Sequence, residues 1–441
     1  MMKYFNYIKY TLNYIKIAYY SLNLYNNPDK INDSNFINKY INIISNNGCM
    51  LIKIFQWGVP RYVMINGTNK FTKILDKFYN DCPTHNISFT DNIYKKHYNK
   101  SIFEDYDIQG VLGSGSIGQV YKIFRKSDHK LFALKIIHPN TKTEFVIFKI
   151  FFYIIYYLIN FKNIIPIKNI DVLINDIELQ LDYNNEAYNT NLFYNLYEGN
   201  KYINIPKIYE YNEDFIIMDI IETKLTENIS DYNKYKCLLL LIIFINNNCL
   251  NNLSHGDMHL GNWSLQYKDF SYINIIDFGF CFNINFNDYI IIDKYIGNPT
   301  NLTIINSIIE YLSEDQSKDK IKKISTELHN YTINLKKKNI EQFIYCLLNI
   351  LIKYKIYLNS SVLNALFLYY QLSNSYKFIL NNNKNNNEIE NNFSLELINI
   401  CESYNICSKY KEYLEQHILP TFNFKKKNNR LEKYKHLCLL K

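Results

Sequence analysis

Two short stretches in the second half of the chain set oxygen-bearing side chains at a spacing suited to one kind of chemistry. HGDMHLGN supplies His255, Asp257, His259 and Asn262, and IIDFG supplies Asp277 and Gly279. Asp257 could orient or deprotonate an acceptor hydroxyl. Asn262, five residues on, and Asp277 offer the hard oxygens that Mg2+ prefers. In this order they are what phosphoryl transfer requires. Taken singly, each is an ordinary polar loop residue, so the combination carries the signal. His255 and His259 read as structural, because a histidine in such a loop more often props up backbone than moves a proton.

A second set lies upstream. Gly113, Gly115 and Gly118 form a GxGxxG placed after one strand-like run and before another, which suits a hairpin loop better than the dinucleotide fingerprint, where a helix follows. Glycines let backbone N–H groups approach phosphate oxygens and take dihedrals that other residues resist. Such a match is weak alone, but Lys135, in ALKII, lies 17 residues beyond Gly118 on the adjoining strand. An ammonium there would neutralise the α and β phosphates and needs a carboxylate to hold it. Ser114 and Ser116 in the loop, and Met218 at the end of a later strand, complete the candidate nucleotide contacts.

These residues need a frame. Residues 1 to about 100 read as helical, with Ile41, Ile44, Leu51, Ile52, Phe55, Leu75 and Phe78 at helical spacing and an end near Pro83. From 101 to 222 the pattern is a small β-lobe with inserted helices: a hairpin turning at Arg125 to Lys130, a helical stretch from Glu144 to Tyr197, then two strands turning near Asn212 to Asp214. From 223 to 300 come a buried helix over Tyr235 to Leu253, the polar loop, and a strand at Tyr272 to Ile276. Residues 301–441 read as helical, broken by a mobile Asn-rich loop at Asn381 to Asn387.

With 441 residues the chain should form two lobes or more. Ile, Asn, Lys and Tyr dominate throughout, the mark of coding bias in an AT-rich genome, so Asn runs deserve little functional weight. The charge of +8 comes from scattered lysines, since the only arginines are Arg61, Arg125 and Arg430. That argues against a nucleic-acid surface, which would cluster arginines, and leaves a weak attraction to anionic lipid. The nine cysteines include no CxxC pair, and Cys401 and Cys407 stand isolated, so no structural metal and a reducing compartment are expected. The apolar runs Ile150 to Ile159 and Leu238 to Ile245 are too short to cross a bilayer and read as core helices. The first 28 residues, lysine-bearing and free of acids, fit either a mitochondrial presequence or an ordinary packed helix.

Several kinase-like families share these motifs. A protein kinase would show an APE-type element past Asp277, and FGFCFNINFNDY is followed by helices instead. Over roughly residues 40 to 300 the chain resembles the UbiB/ADCK family of atypical kinases, associated with coenzyme Q biosynthesis and lipid metabolism. GSGSIGQVYK resembles that family's SIGQV loop, QLDYNNEAYN its (E/Q)xD with the glutamate that follows, HGDMHLGN its HxDxHxGN loop, and GCMLIKIFQW its KxGQ signature. The resemblance implies a bilobal protein-kinase-like α+β fold, with a small β-rich N-lobe, a helical C-lobe and a helical N-terminal extension. It implies Mg-ATP as ligand, Glu186 as partner of Lys135, and regulatory positions at Lys53, Gln56, Gln180 and Asp182. It further implies a cleft covered where a peptide would bind, hence a small-molecule or lipid acceptor or plain ATPase activity, peripheral membrane association, and the mitochondrion as compartment. Three positions depart from the family pattern: Phe55 stands for the glycine of KxGQ, Gln180 for the usual acid, and Gly115 where many members have alanine.

Two other readings use the same residues. HGDxHxGN and IDFG also occur in soluble aminoglycoside- and choline-kinase-type phosphotransferases, which lack a helix bearing Lys53 and Gln56 over the cleft. A nucleotide-dependent scaffold without turnover would need the same binding residues.

Overall fold

The computed structural model describes residues 2–45, 48–68, 72–73, 82, 84–158, 165–221, 230–313, 316–335 and 339–380. Leu75, Phe78, Pro83, Ile159, the polar connector after Ile221, the Asn381 to Asn387 loop and the remainder to Lys441, with Cys401 and Cys407, lie outside the described residues. The molecule has the bilobal kinase-like α+β architecture, with helices on both sides of a small antiparallel sheet.

The chain opens with three helices: α1 (Met2–Asn26), α2 (Ser34–Ser45) and α3 (Cys49–Asn66). Tyr10, Tyr14 and Ile17 of α1 pack on Tyr40, Ile44, Leu51 and Ile52, and on Phe145 and Phe148 from beyond the first hairpin. Ile41 and Phe55 sit half-buried at the edge of that cluster. The start of α3 is set from a distance: Glu144 accepts the Met50 N–H at 3.0 Å, capping a helix 94 residues upstream. Gly48 is required there, because a Cβ would stand 2.2 Å from Glu144 Oε1 and its φ is +96°.

Helices α4 (Ile87–Tyr98) and α5 (Ile102–Asp105) lead into the sheet. Tyr94 of α4 is buried with Ile123, Leu134 and Phe215, so residues ahead of position 100 help to build the β-lobe core. The strands β1 (Tyr106–Ser114), β2 (Gly118–Arg125), β3 (Lys130–Ile137), β5 (Ile208–Tyr211) and β6 (Phe215–Met218) lie in the order β1-β2-β3-β6-β5. The hairpin closes where Arg125 faces Lys130, and the later pair turns at Asn212 to Asp214, as the alternation suggests. Between them run α6 (Thr141–Leu158), α7 (Ile170–Leu179) and α8 (Tyr183–Tyr197), then β4 (Ile203–Asn204), a two-residue strand that joins the second lobe's sheet. The run at Ile150 is not a wholly buried helix. Phe148 is buried while Ile150 and Ile154 of α6 are 56% and 49% exposed, a division that a uniformly apolar stretch cannot reveal.

The second lobe is organised on α9 (Asp231–Leu250), buried all round from Cys237 to Leu241. A hairpin of β8 (Trp263–Tyr267) and β9 (Ser271–Ile275) pairs with β4; the sequence reading supplies only its second strand. A small ladder of β7 (Ser254–His255) and β10 (Cys281–Phe282) closes the polar loop. Helices α10 (Phe286–Gly297), α11 (Leu302–Leu312), α12 (Lys318–Ile333), α13 (Ile340–Lys353) and α14 (Ser360–Leu380) pack around α9 in one large core. Among the described residues no helix is long and apolar enough to cross a membrane.

Candidate nucleotide and phosphoryl-transfer site

Lys135 lies in mid-β3, flanked across the ladder by Val120 and Ile216. Its Nζ stands 2.6 and 2.8 Å from the two carboxylate oxygens of Glu186, in the first turn of α8, and 3.0 Å from Asp277 Oδ1. Burial opposes the lysine's charge, yet Asp277 and Glu186 outweigh it and hold Lys135 cationic. One cation cannot serve two carboxylates equally. Burial also opposes ionisation of Asp277, but Lys135 and Lys53 overcome it and keep that carboxyl well below its usual range. On Glu186 burial wins over Lys135, and its pKa is pushed up to about 6. Asp277 also occupies the left-handed region at φ 62°, a conformation that asparagine and aspartate tolerate better than most residues and that aims its side chain at Lys135.

The glycine loop above Lys135 is a tight turn closed by Gly115 N–H donating to Gly118 C=O at 2.9 Å. Contrary to the expectation of special dihedrals, none of its glycines has positive φ. Space selects Gly118 alone: a Cβ there would stand 2.0 Å from Tyr183 Oη and 2.4 Å from Ile136 O, whereas one on Gly115 would make an ordinary contact at 3.6 Å and one on Gly113 would meet nothing. His138 braces the loop, its Nε2 lying 2.9 Å from Gly115 O and 3.3 Å from Ser114 Oγ, while its Nδ1 meets His85 Nδ1 at 2.9 Å. Ser116 is buried in the turn. Met218, at the end of β6, pairs with Ala133 and packs beside Tyr183 and Ala187.

The polar loop is held as a rigid frame. Gly256 N–H donates to Phe280 C=O, Ile276 N–H to Asn262 C=O, and the Asn262 side-chain amide to Asp257 C=O at 2.9 Å. His255 accepts from Asp257 N–H through Nδ1, which leaves Nε2 to donate to Ile276 C=O at 3.2 Å. Burial keeps this ring neutral, so it braces both acidic segments.

The Asp257 carboxylate is held from outside the loop. Lys53 Nζ of α3 and His259 Nε2 each lie 3.7 Å from its Oδ2, and Gln371 of α14 donates to Oδ1 at 3.1 Å. Burial favours the protonated acid, but His259 and Lys53 together bring its pKa below the ordinary value. Arg61, two turns beyond Lys53, is stacked 4.0 Å from the Trp57 ring and 4.1 Å from Phe367, and donates to Asn364 Oδ1 at 3.3 Å, fixing α3 on α14.

The other positions implied by the family resemblance are not gathered on Lys53. Gln180 spends its amide on Asp176 C=O at 2.8 Å, and Asp182 caps α8 by accepting from Asn184 N–H. Gln56 Nε2 lies 3.9 Å from Cys82 Sγ. The carboxylate that Lys53 meets is Asp257. Gln371, His138 and His85 were not singled out by sequence; His138 stands just after ALKII, but a lone glutamine in a helix gives no signal.

No curated protein matches the chain. One solved structure, the complex of Rv3197 with erythromycin from Mycobacterium tuberculosis, is similar at 15% identity over 68% of this chain and 84% of that one, with a TM-score of 0.42, a likeness too loose to argue from. Residues 79–295, which hold the glycine loop, Lys135, Glu186, Asp257, Asn262 and Asp277, match the family model described as the ABC1 atypical kinase-like domain, and this match supports the atypical kinases as the family of the chain.

Proposed function

We propose that the chain is an ATP-dependent phosphotransferase or ATPase of the atypical kinase type, acting on a small-molecule or lipid acceptor such as a quinone, or on water. The observation that carries the reading is Lys135 clasped between Glu186 and Asp277 under a glycine turn. The residues suit Mg-ATP: the space beyond Gly113 is open, Asp277 keeps 42% of its side chain exposed, and the Asn262 amide nitrogen is spent on Asp257 C=O, which leaves its oxygen for a cation. That donor set is hard oxygen, as Mg2+ prefers.

Mg-ATP, when bound, supplies the transferable phosphoryl group and the charge that neutralises it. Lys135 orients the phosphates, Glu186 keeps Lys135 in place, and Asn262 with Asp277 holds the metal. Asp257, ionised at neutral pH, accepts the acceptor's proton or orients its hydroxyl. Lys53 within ion-pair distance of Asp257 favours this reading over an aminoglycoside- or choline-kinase-type enzyme, where no such helix overlies the cleft.

Calorimetric titration with Mg-ATP tests the proposal. Asp277→Asn is expected to weaken binding by roughly 100-fold and Lys135→Ala by about tenfold, the scale of one lost charge contact in a partly desolvated site. Unchanged affinity in both variants overturns it. Single-turnover hydrolysis separates enzyme from scaffold: Asp257→Asn should lose most of the rate, and equal rates in both proteins would favour the scaffold.

A further inference from the structure

Gln371 makes two hydrogen bonds to adjacent residues of the polar loop from a helix 114 residues downstream. Its Oε1 accepts Met258 N–H at 3.0 Å and its Nε2 donates to Asp257 Oδ1 at 3.1 Å. The orientation of the amide is fixed by its partners. The Met258 nitrogen can only donate and the ionised carboxylate can only accept, so the flipped amide would turn both contacts repulsive. Gln371 is 8% exposed, so neither bond is readily replaced by bulk water.

We infer that Gln371 is a positioning residue for the reaction: it sets the rotamer of the Asp257 carboxylate and couples α14 to the catalytic loop. The inference rests on the proposed role of Asp257 as the group that handles the acceptor's proton. A carboxylate can turn about its last two torsions, and Lys53 and His259, both 3.7 Å from Oδ2, approach at ion-pair distance without the directional constraint of a short hydrogen bond. Gln371 is therefore the directional contact on this group. Tying the donor to the Met258 peptide as well makes the carboxylate and the loop backbone move together. The same helix holds the other side of the site. Asn364, two turns before Gln371, accepts from Arg61 and donates to Asp176 Oδ2 at 3.3 Å, and Arg61 belongs to the helix that carries Lys53. One face of α14 thus fixes Asp257 directly and the element bearing its counter-ion indirectly.

The test separates contact from catalysis. Gln371→Glu keeps an acceptor for Met258 N–H and sets a second carboxyl against Asp257; Gln371→Met removes both bonds at similar volume. The chain has two tryptophans, Trp57 and Trp263, and the Trp263 indole donates to Met258 C=O at 3.3 Å, so in a Trp57→Phe background Trp263 emission reports on this loop. Two carboxyls at hydrogen-bond distance share a proton, so Gln371→Glu should show a new emission transition between about pH 5 and 7, absent from Gln371→Met and the parent. His255, His259, Lys53 and Asp277 also act on Asp257, and they are common to all three proteins. Turnover should fall about tenfold or more in both variants while Mg-ATP affinity, which also verifies folding, stays within about twofold. Absence of the transition overturns the contact, and a transition with unaltered turnover overturns its positioning role. If the parent binds Mg-ATP but turns nothing over, the proposed function fails, and the new transition in Gln371→Glu still upholds Gln371 as the group that sets Asp257.

Discussion

The two acidic centres of the cleft are built in opposite ways. Asp277, just beyond β9, and Glu186 on α8 meet Lys135 of β3 at 2.6 to 3.0 Å, all within the lobes that define the fold. Asp257 meets Lys53 and His259 at 3.7 Å, and Lys53 with Gln371 arrives from α3 and α14, outside the matched domain. The Lys135 centre, the nucleotide side on the proposed function, is pre-assembled by short, charge-assisted bonds. The Asp257 centre, the acceptor side on that reading, is assembled from parts brought by separate helices. On the proposed function, the group that meets the acceptor depends on the flanking helices, while the nucleotide side takes from them the Lys53 charge that helps to keep Asp277 ionised.

Double-mutant cycles would break this contrast most directly. In the Lys135/Glu186 cycle, Lys135→Ala strands the buried Glu186 carboxylate and should cost about 3–5 kcal/mol, whereas Glu186→Ala leaves Lys135 paired with Asp277 and should cost less, with a coupling of roughly 2–3 kcal/mol. In the Lys53/Asp257 cycle the coupling should stay at or below about 1 kcal/mol, since the separation is 3.7 Å and the Asp257 side chain is 24% exposed. Denaturant melts of the six variants and the parent measure both. Equal couplings would remove the distinction between the two centres.

A smaller effect separates them by pH. Glu186 has its pKa raised to about 6 and Asp257 has its own lowered, so only Glu186 titrates near neutrality. A raised carboxyl favours the protonated folded state: its contribution to stability is complete below about 4.5, the ordinary value, and is lost as pH rises through about 6. Ionised Glu186 adds a negative charge beside the metal position, so Mg-ATP affinity should rise about threefold or more from pH 5.5 to 7.5. Glu186→Gln should retain only the nucleotide's own titration, and a profile identical to the parent's would show that Glu186 does not titrate in this range.

How much of this was legible follows the same division. The glycine turn, Lys135, Asp257, Asn262 and Asp277 could be named from sequence because each sits in a short motif whose spacing the local backbone dictates, while Glu186 entered only through the family resemblance. The hairpin and the α9 helix were readable from alternation and from an unbroken apolar run. What escaped depends on contacts between distant segments: the capping of α3 by Glu144, the Arg61 stack between Trp57 and Phe367, and the reach of Gln371 to Asp257. Long-range partners leave no periodicity. Gln180 and Asp182, regulatory positions by resemblance, both lie at helix ends where free backbone groups claim their side chains, a local use that the motif does not reveal.

The least of the expected effects concerns the brace under the glycine loop, where the pre-assembled side relies on two neutral rings. Burial, reinforced by His138, lowers the pKa of His85 to about 4, and burial lowers that of His138 as well. The groups around the pair, Thr90, Gln119, Ser114 and the Gly115 carbonyl, carry no charge to oppose this. A histidine with a lowered pKa refuses a proton that the unfolded chain accepts, so stability falls as pH drops from about 6.5 towards 4. His85 is only half-buried, and after allowing for solvent screening the loss is on the order of 1 kcal/mol, a shift in Tm of about one or two degrees for a chain of this size. His85→Gln keeps hydrogen-bonding groups without titrating. Between pH 7.5 and 5 the parent should therefore lose about a degree more than His85→Gln, with the carboxylates common to both. Equal losses would mean that the pair is already protonated and that the loop rests on a charged brace, bringing the nucleotide side closer in kind to the acceptor side.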